Sequence, residues 1–150
     1  MLEVENATKL VTVAEMAALE KQADAAGHSY ATMMEIAGRG VAESVLARYP
    51  NLGLVTVLVG PGNNGGDGFV AARHLKERGY DVRVACLVPV DKLKGDAAEA
   101  AKSWKGEVRT SIPKDLDSDA LIVDAIFGAG LARAPTGAFA DAIKAINAAR

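Results

Sequence analysis

The feature that most constrains this chain is a glycine-rich segment between an apolar run and a helix-compatible run. Residues 54–59 are apolar and mostly β-branched, which is typical of a fully buried strand. Residues 68–78 suit a helix, with Gly79 at its C-terminal end. A strand, a glycine loop and a helix in this order direct backbone N–H groups and a helix dipole towards an anion. The segment itself holds five glycines in nine residues and reads Gly60-Pro61-Gly62-Asn63-Asn64-Gly65-Gly66-Asp67-Gly68.

This glycine loop differs from the better-known phosphate loops. It lacks the lysine and hydroxyl of the P-loop pattern, and its glycines do not have the Rossmann spacing. We expect its glycines to supply positive φ angles and to let phosphate oxygens approach the backbone. The side chains of Asn63, Asn64 and Asp67 add oxygens that suit a hard cation, a ribose or a carboxamide. A tight turn without a ligand is the weaker alternative.

Periodicity along the chain predicts alternating strands and helices. The fold class is therefore α/β, a Rossmann-like three-layer α/β/α arrangement around a mostly parallel sheet. A capping box at Thr12 and Glu15 starts a first helix, in which Met16 and Leu19 begin an apolar stripe. The second helix is expected to bury Met34, Ala37, Val41 and Val45. The predicted strands are 54–59, 81–88, 107–110 and 119–124, and the later helices are 30–49, 68–78, 95–104 and 137–149.

Two loops leave the carboxyl ends of predicted strands, at 60–68 and after 124. Ligands of such sheets bind beyond these ends, at the topological switch point. We therefore expect residues 62–67 and 128–134 to line one crevice. Asp124 ends its strand, and we expect a desolvated carboxylate that needs a partner. That partner is either a cation shared with Asn64 or an N–H group of a cap or of the opposite loop.

Composition excludes several classes of function. The 150 residues fit one domain, and a net charge of −2 without a basic run argues against nucleic acid as a partner. The single cysteine, Cys86, lies in an apolar run and is expected to be a buried structural thiol. His28 and His74 lack the spacing of zinc ligands. With no membrane span and no signal peptide in the sequence, we expect a cytoplasmic protein.

Four motifs in order resemble those of the NAD(P)H-hydrate epimerases, the YjeF N-terminal domain family. They spread over most of the chain, and the glycine-asparagine loop is the most specific of them. The other three are Met34-Glu35-Ile36-Ala37-Gly38, Lys94-Gly95-Asp96-Ala97, and the second glycine loop Val123-Asp124-Ala125-Ile126-Phe127-Gly128-Ala129-Gly130-Leu131.

The resemblance implies an isomerase that interconverts the R and S epimers of hydrated NADH and NADPH. It implies a potassium ion held by Asn64 and Asp124, and we expect a homodimer. Asp67 is equally suited to capping the helix from Gly68, and Arg133 either pairs with a phosphate or is an ordinary loop arginine. The resemblance assigns the hydrated substrate to Asn63, Asn64, Gly65, Gly66 and Asp67 on one wall and to Gly128, Ala129, Gly130, Leu131, Ala132, Arg133 and Ala134 on the other.

The sequence departs from the family pattern at two places. Related sequences often have an asparagine where this chain has Ala132, so an amide contact is missing there. The family's Asp-x-Pro-Ser-Gly motif, to which the resemblance assigns a catalytic aspartate, is not found in residues 1–150. We therefore expect residues 1–150 to be an epimerase domain that is incomplete at its C-terminal end, nearly inactive as an epimerase and without an identified catalytic residue. The alternatives are a non-catalytic dinucleotide-binding module and the N-terminal part of a bifunctional epimerase and ADP-dependent dehydratase.

Overall fold

The computed structural model describes residues 10–116 and 120–149, and the elements in this part follow the predicted order. A short 3-10 helix, Val90–Lys92, lies between the second strand and the fourth α-helix. The strands are β1 (Leu54–Val59), β2 (Asp81–Cys86), β3 (Val108–Arg109) and β4 (Ala120–Ala125). The helices are α1 (Val13–Ala25), α2 (Tyr30–Arg48), α3 (Asn63–Glu77), α4 (Gly95–Ser103) and α5 (Gly137–Ala148). The predicted first residue of β4, 119, lies outside the described residues.

The four strands form a parallel sheet in the order β3-β2-β1-β4. The chain runs outwards from β1 to β3 and then returns to the other side of β1 as β4. The topological switch point therefore lies between β1 and β4, where Val59 pairs with Ala125. In the described part of the chain, β4 is an edge strand.

Helices cover both faces of the sheet, which confirms the predicted three-layer arrangement. Consecutive residues of β1 point to opposite faces. Val57 lies in the core beneath α2, α3 and α4, together with Phe69. Leu58 lies in the core beneath α5, together with Ile126. The only side chain of β1 with a hydroxyl, Thr56, is fully buried and accepts a hydrogen bond from Arg83 Nε at 2.7 Å.

The helices α2 and α3 pack closely because glycines lie at their contacts. A Cβ on Gly38 would come within 2.5 Å of Val70 Cβ. The carboxylate of Glu35 accepts hydrogen bonds from Arg73 Nη2 at 2.5 and 2.6 Å, and it lies 2.6 Å from His74 Nε2. The motif around residues 34–38 is therefore explained by helix packing.

The predicted apolar stripes of the first two helices were wrong in part. None of the residues of α1 is buried, and Met16 and Leu19 are exposed. In α2, Ala37 and Val41 are exposed because the close approach at Gly38 turns a different face towards α3. The buried residues of α2 are Met34, Gly38, Ala42 and Val45. In α4, Ala97, Ala100 and Ala101 are buried, and Trp104 at its C-cap is buried with them.

Cys86 is buried, as the sequence predicted. Burial raises the pKa of its thiol, which suits a structural role better than a nucleophilic one. Among residues 10–116 and 120–149, no helix combines the length and the apolar character needed to cross a bilayer.

Candidate functional site

The two glycine loops line one crevice of about 970 Å³ at the carboxyl ends of β1 and β4. Pro61, Gly62 and Asn63 contribute from the first loop, and residues 126–133 contribute from the second. This position is the one expected for a ligand of a doubly wound sheet. The sequence therefore located the crevice correctly.

The floor of the crevice is held together at Gly60. Its backbone N–H donates to the carbonyl of Ala125 at 3.0 Å, which extends the pairing of β1 and β4 by one residue. A Cβ on Gly60 would lie 1.9 Å from the carbonyl oxygen of Ile126. Only glycine therefore allows the two strand ends to approach this closely.

Asn64 joins the first loop to the second. Its Nδ2 donates to the carbonyl of Phe127 at 2.9 Å. A Cβ on Gly128 would contact Asn64 Cβ at 3.3 Å, so the second loop passes directly over this side chain. Because the amide nitrogen is used in this bond, Oδ1 remains available as an acceptor.

The helix α3 begins inside the glycine loop, five residues earlier than predicted. Its N-cap is Gly62, which makes no side-chain capping bond, so Asp67 does not cap the helix. The crevice is lined by Gly62, Asn63 and Asn64. It therefore faces the N-terminal end of α3, where free backbone N–H groups and the helix dipole favour an anion.

The glycines of α3 serve packing, and the expectation of positive φ was wrong. Positive φ occurs in the described chain at Gly27, Gly79, Gly95 and Gly137, none of which lies in the loop. A Cβ on Gly65 would lie 2.2 Å from the carbonyl oxygen of Gly60. A Cβ on Gly66 would lie 2.6 Å from Met34 Sδ. Both glycines are buried beneath the crevice and allow α3 to begin immediately against the strand end.

Asp67 lines the crevice half-buried, one turn into α3. Burial, with a smaller contribution from the charge of Glu20, raises its pKa to about 6. A carboxyl group with this pKa can exchange a proton near neutral pH. The early start of α3 places Asp67 one turn inside the helix, where its carboxyl group is half-buried.

Asp124 differs from the prediction. It is exposed, because β4 is the edge strand of the described sheet, and it does not line the crevice. Its Oδ1 accepts a hydrogen bond from the backbone N–H of Ile126 at 3.1 Å. This bond is local to the second loop, so it is none of the partners that the sequence suggested, and the second carboxylate oxygen remains available.

The second loop supplies the opposite wall. Gly128, Ala129, Gly130, Leu131, Ala132 and Arg133 line the crevice, whereas Ala134 does not. Among the described lining residues, Arg133 is the only cation. Glu20 and Asp67 are the acids.

Sequence reasoning missed one wall of the crevice. Val13, Met16, Ala17 and Glu20 of α1 also line it. The spacing of these four residues, at i, i+3, i+4 and i+7, is a helical stripe that could have been recognised. The apolar stripe predicted from the sequence runs through Met16 and Leu19 instead. In the described part of the chain, no group of three or more histidine, cysteine or acidic side chains is placed to hold a metal.

Comparison with known proteins supports the assignment suggested by the motifs. An NAD(P)H-hydrate epimerase of Rhodobacter capsulatus is 39% identical over 142 residues, covering 87% of this chain and 66% of that protein. A bifunctional NAD(P)H-hydrate repair enzyme Nnr of Synechocystis is 41% identical, covering 92% of this chain and 27% of that protein. The chain thus spans less than two thirds of the length of these relatives.

A solved structure has the same fold. The crystal structure of yeast ynu0, YNL200c, superposes with a TM-score of 0.77 at 27% sequence identity. The match covers 93% of this chain and 65% of the yeast chain. The family model described as YjeF-related protein N-terminus matches residues 30–150. This match includes α2, both glycine loops and the complete described sheet, and the chain belongs to the family of YjeF-related protein N-termini.

Proposed function

We propose that this chain binds hydrated NADH or NADPH and takes part in interconverting their R and S epimers. The observation that carries the proposal is the crevice at the switch point, lined by both glycine loops. Its volume of about 970 Å³ lies at the upper end of the range for small-molecule and cofactor sites, which is roughly 300–1,000 Å³. The relatives that bear the name epimerase support the reaction.

The phosphates of the dinucleotide are best accommodated between the start of α3 and Arg133. The N-terminal end of α3 offers backbone N–H groups, and Arg133 offers a guanidinium group on the opposite loop. The other charged residues of the described lining, Glu20 and Asp67, repel phosphate. The charges therefore orient the ligand, with its phosphates near Arg133 and away from Glu20 and Asp67.

Asp67 is the described crevice residue best suited to move a proton at the hydrated ring. Its carboxyl group lines the crevice, and its pKa of about 6 lies closer to neutrality than that of an ordinary aspartate. A general acid or base works best when its pKa is near the working pH. We propose that Asp67 supplies part of the acid–base chemistry.

We also propose a potassium ion near Asn64 and Asp124. Each side chain retains one oxygen after the hydrogen bonds described above. Oxygen donors suit a hard cation, and the ion would contribute positive charge near the phosphates. Comparing ligand affinity in potassium chloride and in tetramethylammonium chloride at equal ionic strength tests this part of the proposal.

A homodimer and a cytoplasmic location complete the proposal. Several large apolar residues of α2 are exposed, and such a surface favours contact with another protein. These residues are Ile36, Val41 and Leu46, and Tyr49 at the C-cap of the helix is exposed as well. Light scattering after size-exclusion chromatography measures the oligomeric state, and fractionation of cells that produce the protein measures its location.

The decisive experiment is a turnover assay with the separated hydrate epimers of NADH. The chain is mixed with the pure R epimer, and appearance of the S epimer is followed by chromatography, with Asp67→Asn as the comparison. Faster equilibration by the wild-type chain than by the variant supports the proposal. Binding without any acceleration would instead favour a non-catalytic dinucleotide-binding module.

The bifunctional relatives motivate one further assay. The Synechocystis protein carries a bifunctional name, and the chain matches only 27% of its length. Adding ADP to the hydrate mixture and following the recovery of NADH tests for a dehydratase activity. No recovery is expected from this chain, because the described lining of the crevice has no lysine to contact the phosphates.

A further inference from the structure

The helix α1 presents one face to the crevice. Val13, Met16, Ala17 and Glu20 lie on this face and line the same space as the two glycine loops. Three of the four are apolar, and the acidic one lies at the end nearer the C-terminus of the helix. The crevice therefore has a third wall, which is mostly apolar.

The apolar residues of this wall are not used by the fold. Val13 is 57% exposed and Met16 is 45% exposed, and α1 buries none of its residues. The helix is nevertheless well formed, because Thr12 and Glu15 make a complete capping box with hydrogen bonds of 2.7 and 3.2 Å. A stable helix thus holds apolar side chains over the crevice without packing them into the core.

Charge indicates which part of a ligand would lie against this wall. Glu20 follows the apolar residues on the same face, and Asp67 lies in the crevice near enough for the charge of Glu20 to act on its carboxyl group. Phosphates are disfavoured beside two acidic groups. An uncharged ring is favoured there, since it covers apolar surface without bringing negative charge.

We infer that α1 is part of the ligand-binding site and that Met16 covers an uncharged ring of the bound dinucleotide. This inference rests on the proposed function. The flexible thioether of methionine adapts to a flat ring and makes favourable contacts with it. Met16 is thus an affinity-determining residue on an element outside both glycine loops.

The test compares Met16→Ser with Leu19→Ser. Leu19 lies on the same helix and is 49% exposed, but it does not line the crevice. Both variants have the same change in helix propensity, so only the position differs. Affinity is measured by calorimetry on the 150-residue chain with hydrated NADH and with ADP-ribose, which lacks the nicotinamide ring.

We expect Met16→Ser to weaken binding about tenfold, since covering roughly half of a large apolar side chain favours binding by an amount of this order. Leu19→Ser should bind within about twofold of the wild type. Weakening with both probes identifies the ring as adenine, and weakening with hydrated NADH alone identifies it as nicotinamide. A second variant, Ala17→Phe, should project a ring into the crevice and weaken binding of both probes while circular dichroism shows an intact fold.

Three results would overturn the inference. Equal affinities of the two serine variants would show that Met16 does not contact the ligand. A change in sedimentation of Met16→Ser without a change in affinity would show that α1 faces a second copy of the chain. A wild-type chain that binds neither probe would contradict the proposed function itself, and the inference about Met16 would fail with it.

Discussion

Replacing Gly60 by alanine tests whether the floor of the crevice depends on direct contact between two backbones. The new methyl group would lie 1.9 Å from the carbonyl oxygen of Ile126 and 2.8 Å from its carbonyl carbon. These atoms belong to the backbone, so the side chains cannot relieve the clash by rotating. The strand ends must separate, and the hydrogen bond from Gly60 N–H to Ala125 is then strained or lost.

The expected loss of stability follows from two contributions. Forcing an extra carbon into a packed region typically costs about 1–3 kcal/mol. Loss of one backbone hydrogen bond adds about 1 kcal/mol. We therefore expect Gly60→Ala to lower the free energy of unfolding by about 2–4 kcal/mol, measured by urea denaturation.

The matched control is Gly62→Ala, two residues further along the same loop. A Cβ on Gly62 would meet no atom within 4 Å, and its φ of −96° is open to any residue. We expect its unfolding free energy to change by less than about 1 kcal/mol. If both variants lose the same amount, the backbone contact at Gly60 does not explain the need for glycine.

Three further predictions address the site and its support. Asp67 has a folded pKa of about 6, above its ordinary value of 3.8, so its contribution to stability is fully present below pH 3.8 and is lost as pH rises through 6. The unfolding free energy of the wild type, measured by urea titration from pH 4 to pH 7, should therefore fall with rising pH, and that of Asp67→Asn should lack this fall. An equal fall in variant and wild type would contradict the raised pKa of Asp67. Asp124→Ala should remove the potassium dependence of ligand affinity measured by calorimetry. Its thermal unfolding temperature should be nearly unchanged, since the side chain is exposed. Unchanged potassium dependence would exclude Asp124 as a ligand of the ion. Gly38→Ala should destabilise the chain by about 1–3 kcal/mol through its clash with Val70. Gly40→Ala should not destabilise the chain, because a Cβ on Gly40 meets nothing within 4 Å. Equal denaturation midpoints of the two variants would refute the packing argument.

The sequence predicted the sheet well because its strands are locally distinctive. The run 54–59 is apolar apart from Thr56, and it forms a strand that is buried from Val55 to Val59. The two loops could be placed in one crevice because the ends of parallel strands lie at a common edge. The location of the crevice thus depended on the order of the strands, which the alternation of strand and helix patterns in the sequence can reveal.

Other features were not predictable from local patterns. The start of α3 at Asn63 depends on Gly65 fitting against Gly60 and on Gly66 fitting against Met34, and the second of these contacts joins residues far apart in sequence. Loop glycines suggest turns when they are read locally, and here they allow close packing instead. The exposure of Asp124 depends on which strand lies at the edge, and this is decided by tertiary structure.

The face of α1 could not be chosen from hydropathy alone. Met16 belongs both to the stripe that was predicted and to the one that lines the crevice. Helical periodicity identifies residues that share a face, but it cannot distinguish a face that packs on a core from one that faces a ligand. The partners of Glu35 on α3, Arg73 and His74, were missed for a similar reason, because polar residues on two helices carry no sequence pattern that indicates their pairing.

The contrast between the floor and the third wall has a consequence for how such a site can change over evolution. At Gly60 and Gly65 the floor consists of backbone packed on backbone, so no substitution there can reshape it gradually. A preorganised floor also loses little entropy when a ligand binds. Variation in ligand preference among descendants of this fold should therefore accumulate in α1 and in residues 128–133, where side chains can be exchanged without disturbing the sheet.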